Sequence, residues 1–269
     1  MVIGFIGAGK MARALARGLA NGGIATGGEI ICTSRSRASA QPFLDLFPNS
    51  VWTDKIPVLA QSSGLIVLAI KPQQFEEVLP SLRLTTGKLF LSLAAGITLA
   101  RMQTLLGPEA RLVRVMPNTP MQIGAGASVY ASGSNVTDAD LELVHRILSS
   151  AGKAWRVDEA SIDAVTALSG SGPAYVFHFI EALARAGAKL GLDEKLAREL
   201  AIQTVTGSAQ LAAQSNLSPL ELAAQVKSPG GTTLAGCAVL EENDALHDLL
   251  ARTLAAAKAR AEALARGEP

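Results

Sequence analysis

The stretch Val2-Ile3-Gly4-Phe5-Ile6-Gly7-Ala8-Gly9-Lys10-Met11-Ala12 decides the fold of this chain. Residues 2–6 form a short apolar run with β-branched side chains, which predicts a strand buried on both faces. The pattern Gly7-x-Gly9-x-x-Ala12 follows directly, and Met11 and Leu15 then recur at helical spacing. A strand, a glycine turn and a helix in this order form the context in which such a turn binds a dinucleotide.

Each small residue of the turn has a physical role in this hypothesis. Gly7 permits the tight turn, Gly9 lets a pyrophosphate approach the backbone, and Ala12 lets the helix lie close to the strand. The free N–H groups at the helix start then face the phosphates, with the helix dipole in the favourable sense. The alternative is a plain glycine turn without a ligand.

The composition of the chain restricts its function classes. The 269 residues carry a net charge of +1, which indicates no polyanionic partner such as nucleic acid. The longest apolar run, Leu65 to Ile70, is too short to span a membrane. Cys32 and Cys237 are two isolated cysteines, so we expect free thiols in a cytoplasmic protein and no metal site.

The end of the second predicted strand, Glu29 to Thr33, indicates the preferred cofactor. The strand leads into Ser34-Arg35-Ser36-Arg37, which contains no acidic residue to accept from a ribose 2′-hydroxyl. Hydroxyl and guanidinium groups suit a 2′-phosphate instead. We therefore expect NADPH, with NADH still possible; the alternative is a solvated basic loop.

Further strands are predicted at Val51-Trp52, Leu65–Ile70, Leu89–Leu93, Arg111–Val115, Ala127–Tyr130 and Ala154–Val157. Ligands of open α/β folds bind at the carboxyl ends of the strands. We therefore expect the cofactor to contact Ile6, Gly7, Ala8, Gly9, Lys10, Met11, Ser34, Arg35, Ala69, Ile70, Lys71, Pro72, Ala94, Ala95 and Asn118.

The sequence changes character after Val157, because no further strand pattern appears. We predict an α/β fold with a Rossmann-like dinucleotide-binding domain at residues 1–158 and an all-α domain at residues 159–269. The stretch Ala174–Leu190 is apolar nearly all round, which predicts a buried central helix that follows a break at Ser169–Pro173. Several helices carry more apolar surface than one chain can bury, so we expect a homodimer at least.

Two loops of the helical half combine serine, glycine and proline. Ser169–Pro173 and Ser228–Thr233 each present hydroxyls and backbone N–H groups at a predicted helix start. Such a loop can hold a small carboxylate without a lysine or arginine. The alternative is two ordinary helix breaks with caps.

These motifs together resemble the Δ1-pyrroline-5-carboxylate reductase family. The similar stretches are Phe5–Ala12, Ala69–Gln73, Arg114–Pro120, Ala167–Tyr175 and Ser228–Thr233. The resemblance implies reduction of 1-pyrroline-5-carboxylate to L-proline, the last step of proline biosynthesis, with NADPH or NADH. It also implies a helical dimerisation domain and a substrate pocket formed across the dimer.

The resemblance also implies roles for individual residues. The residue matching Thr233 lies beside the ring nitrogen of the substrate, where it would donate a hydrogen bond or a proton. The implied substrate-binding residues are Glu159, Ser228, Gly231, Thr232 and Thr233. The chain departs from the family pattern at Gln225, where some members carry Asn, and around Asp54-Lys55-Ile56, where an adenosine-contacting Asn has no clear counterpart.

Two other functions remain open from the sequence. A β-hydroxyacid dehydrogenase-like oxidoreductase would need a lysine on the first interdomain helix, and no lysine lies between Glu159 and Ala188. A non-catalytic NADP-binding sensor would have no use for the Ser228–Thr233 loop. None of the three histidines, His145, His178 and His247, is predicted to be catalytic.

Overall fold

The computed structural model describes residues 1–83 and 87–268, and its centre is one mixed sheet. The strands are β1 (Ile3–Ile6), β2 (Ile30–Thr33), β3 (Val51–Trp52), β4 (Leu65–Leu68), β5 (Leu89–Ser92), β6 (Arg111–Met116), β7 (Gly126–Ser132) and β8 (Gly152–Arg156). Their order is β3-β2-β1-β4-β5-β6-β7-β8. Every neighbouring pair is parallel except β6 and β7. The eight strands predicted from the sequence are thereby confirmed, with shifts of one or two residues at their ends.

The helices within the described residues are α1 (Lys10–Asn21), α2 (Arg37–Leu44), α3 (Ile56–Ser62), α4 (Phe75–Val78), α5 (Leu99–Leu106), α6 (Asp138–Ser149), α7 (Ile162–Val165), α8 (Gly172–Lys189), α9 (Glu194–Gln214), α10 (Pro219–Val226), α11 (Thr232–Glu241) and α12 (Ala245–Ala265). Short 3₁₀ turns connect several of them. Thr166–Gly170 is a π-helical turn.

Two apolar cores cover the two faces of the sheet, which is the burial that a doubly wound α/β fold requires. One core contains Phe5, Leu15 and Leu148, and the other contains Ile66 and Phe90. Strands β1, β2, β4 and β5 are buried at every residue, in agreement with their continuous apolar sequences. The fold class predicted from the sequence is confirmed.

The topology of the sheet locates its ligand edge. Strand β1 lies between β2 and β4, so the connections leave it in opposite directions on its two sides. In open α/β sheets this change of direction opens a crevice at the carboxyl ends of the strands. The glycine turn after β1 stands at that crevice.

The chain forms two compact units, residues 1–171 with 257–269 and residues 172–256. The first contains the sheet, and the second contains α8 to α11 with the first half of α12. A domain boundary between residues 158 and 159 stays a prediction.

Two predictions about the start of α8 are wrong. The segment Ser169–Pro173 does not interrupt the helical path. The π-helical turn continues into α8 through Ser171, whose backbone is α-helical. Helix α8 is also not buried in one chain: Phe177 is 65% exposed and Phe179 48%, and Ala184 alone among its residues is buried. The apolar sequence therefore describes a face that a single chain leaves open.

No helix among the described residues is both long enough and apolar enough to cross a membrane.

Cys32 provides a test of the core around β2. Its side chain is fully buried, and this burial raises the pKa of the thiol from 9.0 to about 11. We expect a Cys237→Ser variant to show no thiol reactive toward a disulfide reagent at pH 8 when folded, and one per chain in denaturant. Because the unfolded thiol loses its proton first, this group lowers the free energy of unfolding progressively between about pH 9 and pH 11. Rapid labelling of the native variant at pH 8 would contradict the burial.

Candidate active site

A groove of about 560 Å³ lies at the carboxyl edge of the sheet. Nine of the predicted cofactor residues line it: Ile6, Gly7, Ala8, Gly9, Ser34, Arg35, Ala69, Ile70 and Lys71. They come from the ends of β1, β2 and β4, which are neighbours in the sheet although they are distant in sequence. The topology therefore collects these residues on one wall.

The glycine turn has the geometry that a pyrophosphate needs. Gly7 has a φ of +100°, and a Cβ there would stand 2.5 Å from the carbonyl oxygen of Ala69. Gly9 is the N-cap of α1, and open space surrounds the position where its Cβ would lie. No side chain caps this helix start within the described residues. The first N–H groups of α1 are therefore available to an anion, and the turn fits a dinucleotide.

The segment after β2 is stabilised by its own serines. Ser36 caps α2 through a hydrogen bond from the Ser39 N–H, at 3.2 Å. The Ser34 hydroxyl donates to the Ser36 carbonyl oxygen over 2.7 Å. Ser34, Arg35 and Ser39 all line the groove. A hydroxyl pair and a guanidinium thus stand where a cofactor's ribose is expected.

Six predicted cofactor residues are not on the groove wall: Lys10, Met11, Pro72, Ala94, Ala95 and Asn118. Lys10 and Met11 are the first two residues of α1, so their backbone N–H groups belong to the anion-binding turn. The Lys10 side chain lines a separate hollow with Arg13 and Arg17. Ala94 is buried and Ala95 is exposed in the loop that follows β5.

The Asn118 amide joins three segments at the end of β6. Its oxygen accepts from the Ala127 N–H at 2.8 Å. Its nitrogen donates to the carbonyl oxygen of Ser169, at 3.3 Å, and to the Ser169 hydroxyl, at 3.4 Å. Asn118 therefore connects the start of β7 to the π-helical turn, and both halves of its amide have protein partners.

Glu159 takes part in a charge cluster around a buried arginine. Arg114 on β6 is 3% exposed and lies 3.1 Å from Glu159 Oε1 and 3.2 Å from Asp163 Oδ1. The same Glu159 oxygen accepts from the Leu99 N–H at the start of α5, at 2.7 Å. The buried guanidinium has two carboxylates to neutralise it, as a buried charge requires. Glu159 thus ties β6 to α5, and its predicted contact with the substrate stays a prediction.

The remaining predicted substrate residues lie together in the second unit. Ser228 to Gly231 form a turn in which the Gly231 N–H donates to the Ser228 carbonyl oxygen at 2.9 Å. Pro229 occupies its second position, and Gly230, with a φ of +69°, occupies the third, which is the pattern of a type II turn. The Ser228 hydroxyl lies over Gly231, where a Cβ would approach it to 2.2 Å.

The turn presents the start of α11 with free donors. Gly231 is the N-cap, and Thr232 and Thr233 are the first two helical residues. Within residues 172–256, all of which are described, the hydroxyls of Ser228, Thr232 and Thr233 have no hydrogen-bond partner. Backbone N–H groups and hydroxyls without partners can bind a carboxylate without a formal positive charge.

An ion pair between Lys227 and Glu241 connects the residue before the turn to the last residue of α11. Lys227 Nζ lies 2.5 Å from Glu241 Oε1, at the far end of α11, and this hydrogen bond raises the pKa of Lys227. A cation at a helix C-terminus also interacts favourably with the helix dipole. The ion pair therefore ties the turn to the C-terminal end of the helix.

Comparison with known proteins decides the family. The model described as pyrroline-5-carboxylate reductase dimerisation matches residues 159–264, and the model described as NADP oxidoreductase coenzyme F420-dependent matches residues 2–96. The pyrroline-5-carboxylate reductase of Pisum sativum is 42% identical over 95% of this chain and 93% of its own length. The chain belongs to the pyrroline-5-carboxylate reductase family.

Solved structures of pyrroline-5-carboxylate reductases have the same fold over their whole length. The enzyme from Coxiella burnetii superposes with a TM-score of 0.92 at 37% identity and covers 97% of both chains. The enzyme from Plasmodium falciparum, solved with NADP bound, has a TM-score of 0.87 at 32% identity and covers 98% of both chains.

Sequence reasoning gave no role to several residues that shape these sites. Arg114 belongs to one of the stretches that resemble the family. The feature that could have indicated its role is a charged residue between apolar residues of a predicted strand. Thr33 and Ser39 carry no comparable signal in the sequence, because only the fold brings them to the groove, and the same holds for Trp52, which hydrogen-bonds to the groove residue Ser34. Asp54 lines the groove as well, beside the position where the family pattern is not followed.

The two glycines of the turn give a matched pair of variants. Gly7→Ala places a Cβ against the Ala69 carbonyl at a positive φ, so we expect the free energy of unfolding to fall by about 1–3 kcal/mol. Gly9→Ala meets open space at an ordinary φ of −74°, so we expect it to unfold like the wild type. Denaturant titration checks both, and equal stabilities of the two variants would contradict this geometry.

Proposed function

We propose that this chain reduces 1-pyrroline-5-carboxylate to L-proline, the last step of proline biosynthesis, with NADPH as the hydride donor and NADH possible. The observation that carries the proposal is the uncapped Ser228–Thr233 turn in a chain of the pyrroline-5-carboxylate reductase family. Its neutral donors suit a small carboxylate, and Thr233 offers a hydroxyl next to them. No charged side chain of the turn itself is needed to hold the substrate.

The groove at the sheet edge is the proposed cofactor site. Gly7, Gly9 and the start of α1 would bind the pyrophosphate, and Ser34 with Arg35 would bind the 2′-phosphate. The NADP-bound relative supports this choice of cofactor. When bound, the nicotinamide supplies the hydride that reduces the imine carbon.

The proposed role of Thr233 is to act on the ring nitrogen. Addition of hydride to the imine carbon moves the π electron pair of the C=N bond onto the nitrogen. The amine product therefore needs a proton on this nitrogen, delivered before or during the reduction. A cyclic imine is protonated readily near neutral pH, so a strong general acid is not required. The Thr233 hydroxyl can donate a hydrogen bond to the nitrogen or pass a proton from water. Glu159, Gly231 and Thr232 complete the proposed substrate contacts.

Self-association is part of the proposal. The dimerisation model covers residues 159–264, and the helices of the second unit expose large apolar side chains such as Phe177, Leu220 and Val239. Large apolar side chains exposed in this number are normally covered by a partner. We propose a homodimer as the smallest assembly, a helical domain of residues 159–269, and a cytoplasmic location.

The two alternative functions make different predictions in one assay series. Steady-state rates with 1-pyrroline-5-carboxylate and NADPH, and with 3-hydroxyisobutyrate and NADP⁺, separate the reductase from a β-hydroxyacid dehydrogenase. A non-catalytic sensor would bind NADPH and turn over neither substrate. We expect turnover of the first pair alone, and turnover of 3-hydroxyisobutyrate would overturn the proposal.

The hydroxyl of Thr233 can be tested directly. Thr233→Ala removes the proposed donor, and we expect kcat to fall by about 10–100-fold. Thr233→Ser is the matched control, because it keeps the hydroxyl and should retain most of the activity. If Thr233→Ala raised KM for 1-pyrroline-5-carboxylate at an unchanged kcat, the residue would bind substrate without assisting proton transfer.

A further inference from the structure

Trp52 makes a hydrogen bond that the sequence did not suggest. It is the last residue of the two-residue strand β3, opposite Cys32 in the register with β2. Its indole Nε1 donates to Ser34 Oγ over 3.1 Å. The N–H of the next residue, Thr53, donates to the Cys32 carbonyl oxygen at 3.0 Å. This bond fixes the backbone of β3 beside the Trp52 side chain. A half-buried tryptophan is thus hydrogen-bonded to a residue of the groove wall.

This bond joins the side chains of residues 34–39 to a neighbouring strand. The Ser36 carbonyl oxygen accepts from the hydroxyls of Ser34 and Ser39, both at 2.7 Å, and the Ser36 N–H donates to Ser39 Oγ at 3.2 Å. Among the side-chain hydrogen bonds of residues 34–39 within the described chain, the one from Trp52 alone comes from another segment. It therefore fixes the serine cluster relative to the sheet.

The chemistry of the bond keeps Ser34 free to act on a ligand. A hydroxyl has one proton and two acceptor lone pairs. Trp52 occupies one lone pair, and the Ser34 proton goes to Ser36. The indole donor would hold the Ser34 oxygen in the same place if this proton turned toward a phosphate oxygen. Rotation of one hydroxyl would then suffice for binding, without movement of the backbone.

We propose that Trp52 is a positioning residue for cofactor selectivity: it holds the segment of Ser34 and Arg35 in the shape that receives the 2′-phosphate of NADPH. This inference rests on the cofactor site of the proposed function. Because the segment is already ordered in the free protein, less conformational entropy is lost when the cofactor binds. A neutral hydrogen bond of this kind contributes roughly threefold to tenfold to an equilibrium constant.

The test compares two tryptophan variants of the full chain. Trp52→Phe keeps an aromatic ring and removes the N–H donor. Trp155→Phe is the matched control, because the chain has two tryptophans and Trp155 lies 48% exposed on β8, away from the groove. Dissociation constants for NADPH and NADH are measured by calorimetry without substrate, together with melting temperatures and the KM of each cofactor.

We expect Trp52→Phe to weaken NADPH binding by about threefold to tenfold and to lower the NADPH-over-NADH selectivity by the same factor. The loss should appear in KM for NADPH rather than in kcat, and Trp155→Phe should change neither ratio. An equal loss for both cofactors, no loss, or a wild-type protein that binds NADH more tightly would each overturn the proposal.

Ser34→Ala tests the other end of the same bond. In the Trp155→Phe background, Trp52 is the only tryptophan of the chain. Removing the Ser34 hydroxyl, which accepts its indole hydrogen bond, should shift the tryptophan fluorescence emission. If Trp52→Phe does not fold, lost selectivity in Ser34→Ala without an emission shift overturns the proposal. The outcomes also separate the two levels of inference, since a protein that binds NADPH but does not reduce 1-pyrroline-5-carboxylate contradicts the proposed function and leaves the role of Trp52 measurable.

Discussion

The close approach of two backbone segments at Gly7 is the constraint on which the cofactor groove depends. The Gly7 N–H donates to the Thr33 carbonyl oxygen at 3.0 Å, and the Ala69 N–H donates to the Ile6 carbonyl oxygen at 2.8 Å. These bonds continue the ladders of β1 past the last strand residue and hold three strand ends together. A side chain at Gly7 would collide with Ala69. The strand ends, and with them the groove, meet without strain because this position is glycine.

The two proposed binding regions solve different electrostatic problems. The groove combines a helix start, Arg35 and Lys71, which suits a ligand with several phosphate charges. The turn at Ser228–Thr233 carries no charged side chain between Lys227 and α11, and Lys227 is engaged with Glu241. Backbone N–H groups and hydroxyls can hold one carboxylate without competing for the more highly charged phosphates. The groove lining also includes the carboxylates of Asp54 and Glu77, so the affinity for phosphates rests on where Arg35, Lys71 and the helix start lie rather than on net charge.

The sequence predicted most of what depends on local pattern. Short runs rich in apolar residues located all eight strands, and residues that follow β1, β2 and β4 line the groove. It did not reveal contacts that exist only after the sheet has formed, such as the Arg114 cluster and the bond from Trp52 to Ser34. Their partners are 18 to 49 residues apart, and no periodicity links them. It also placed α8 in a core, because an apolar helix has the same sequence whether its own chain or a partner covers it.

The errors and successes have one physical origin. Burial in the sheet is decided within one chain, so its pattern can be read from one sequence. The helical unit leaves apolar residues exposed in the single chain, and in the proposed dimer a second copy with the same sequence covers them. Its stability is then inseparable from the concentration of the chain. An isologous interface of this kind leaves its mark on the sequence as apolar faces that exceed what one subunit can bury. The excess itself, rather than any single helix, is the information that the sequence carries about the assembly.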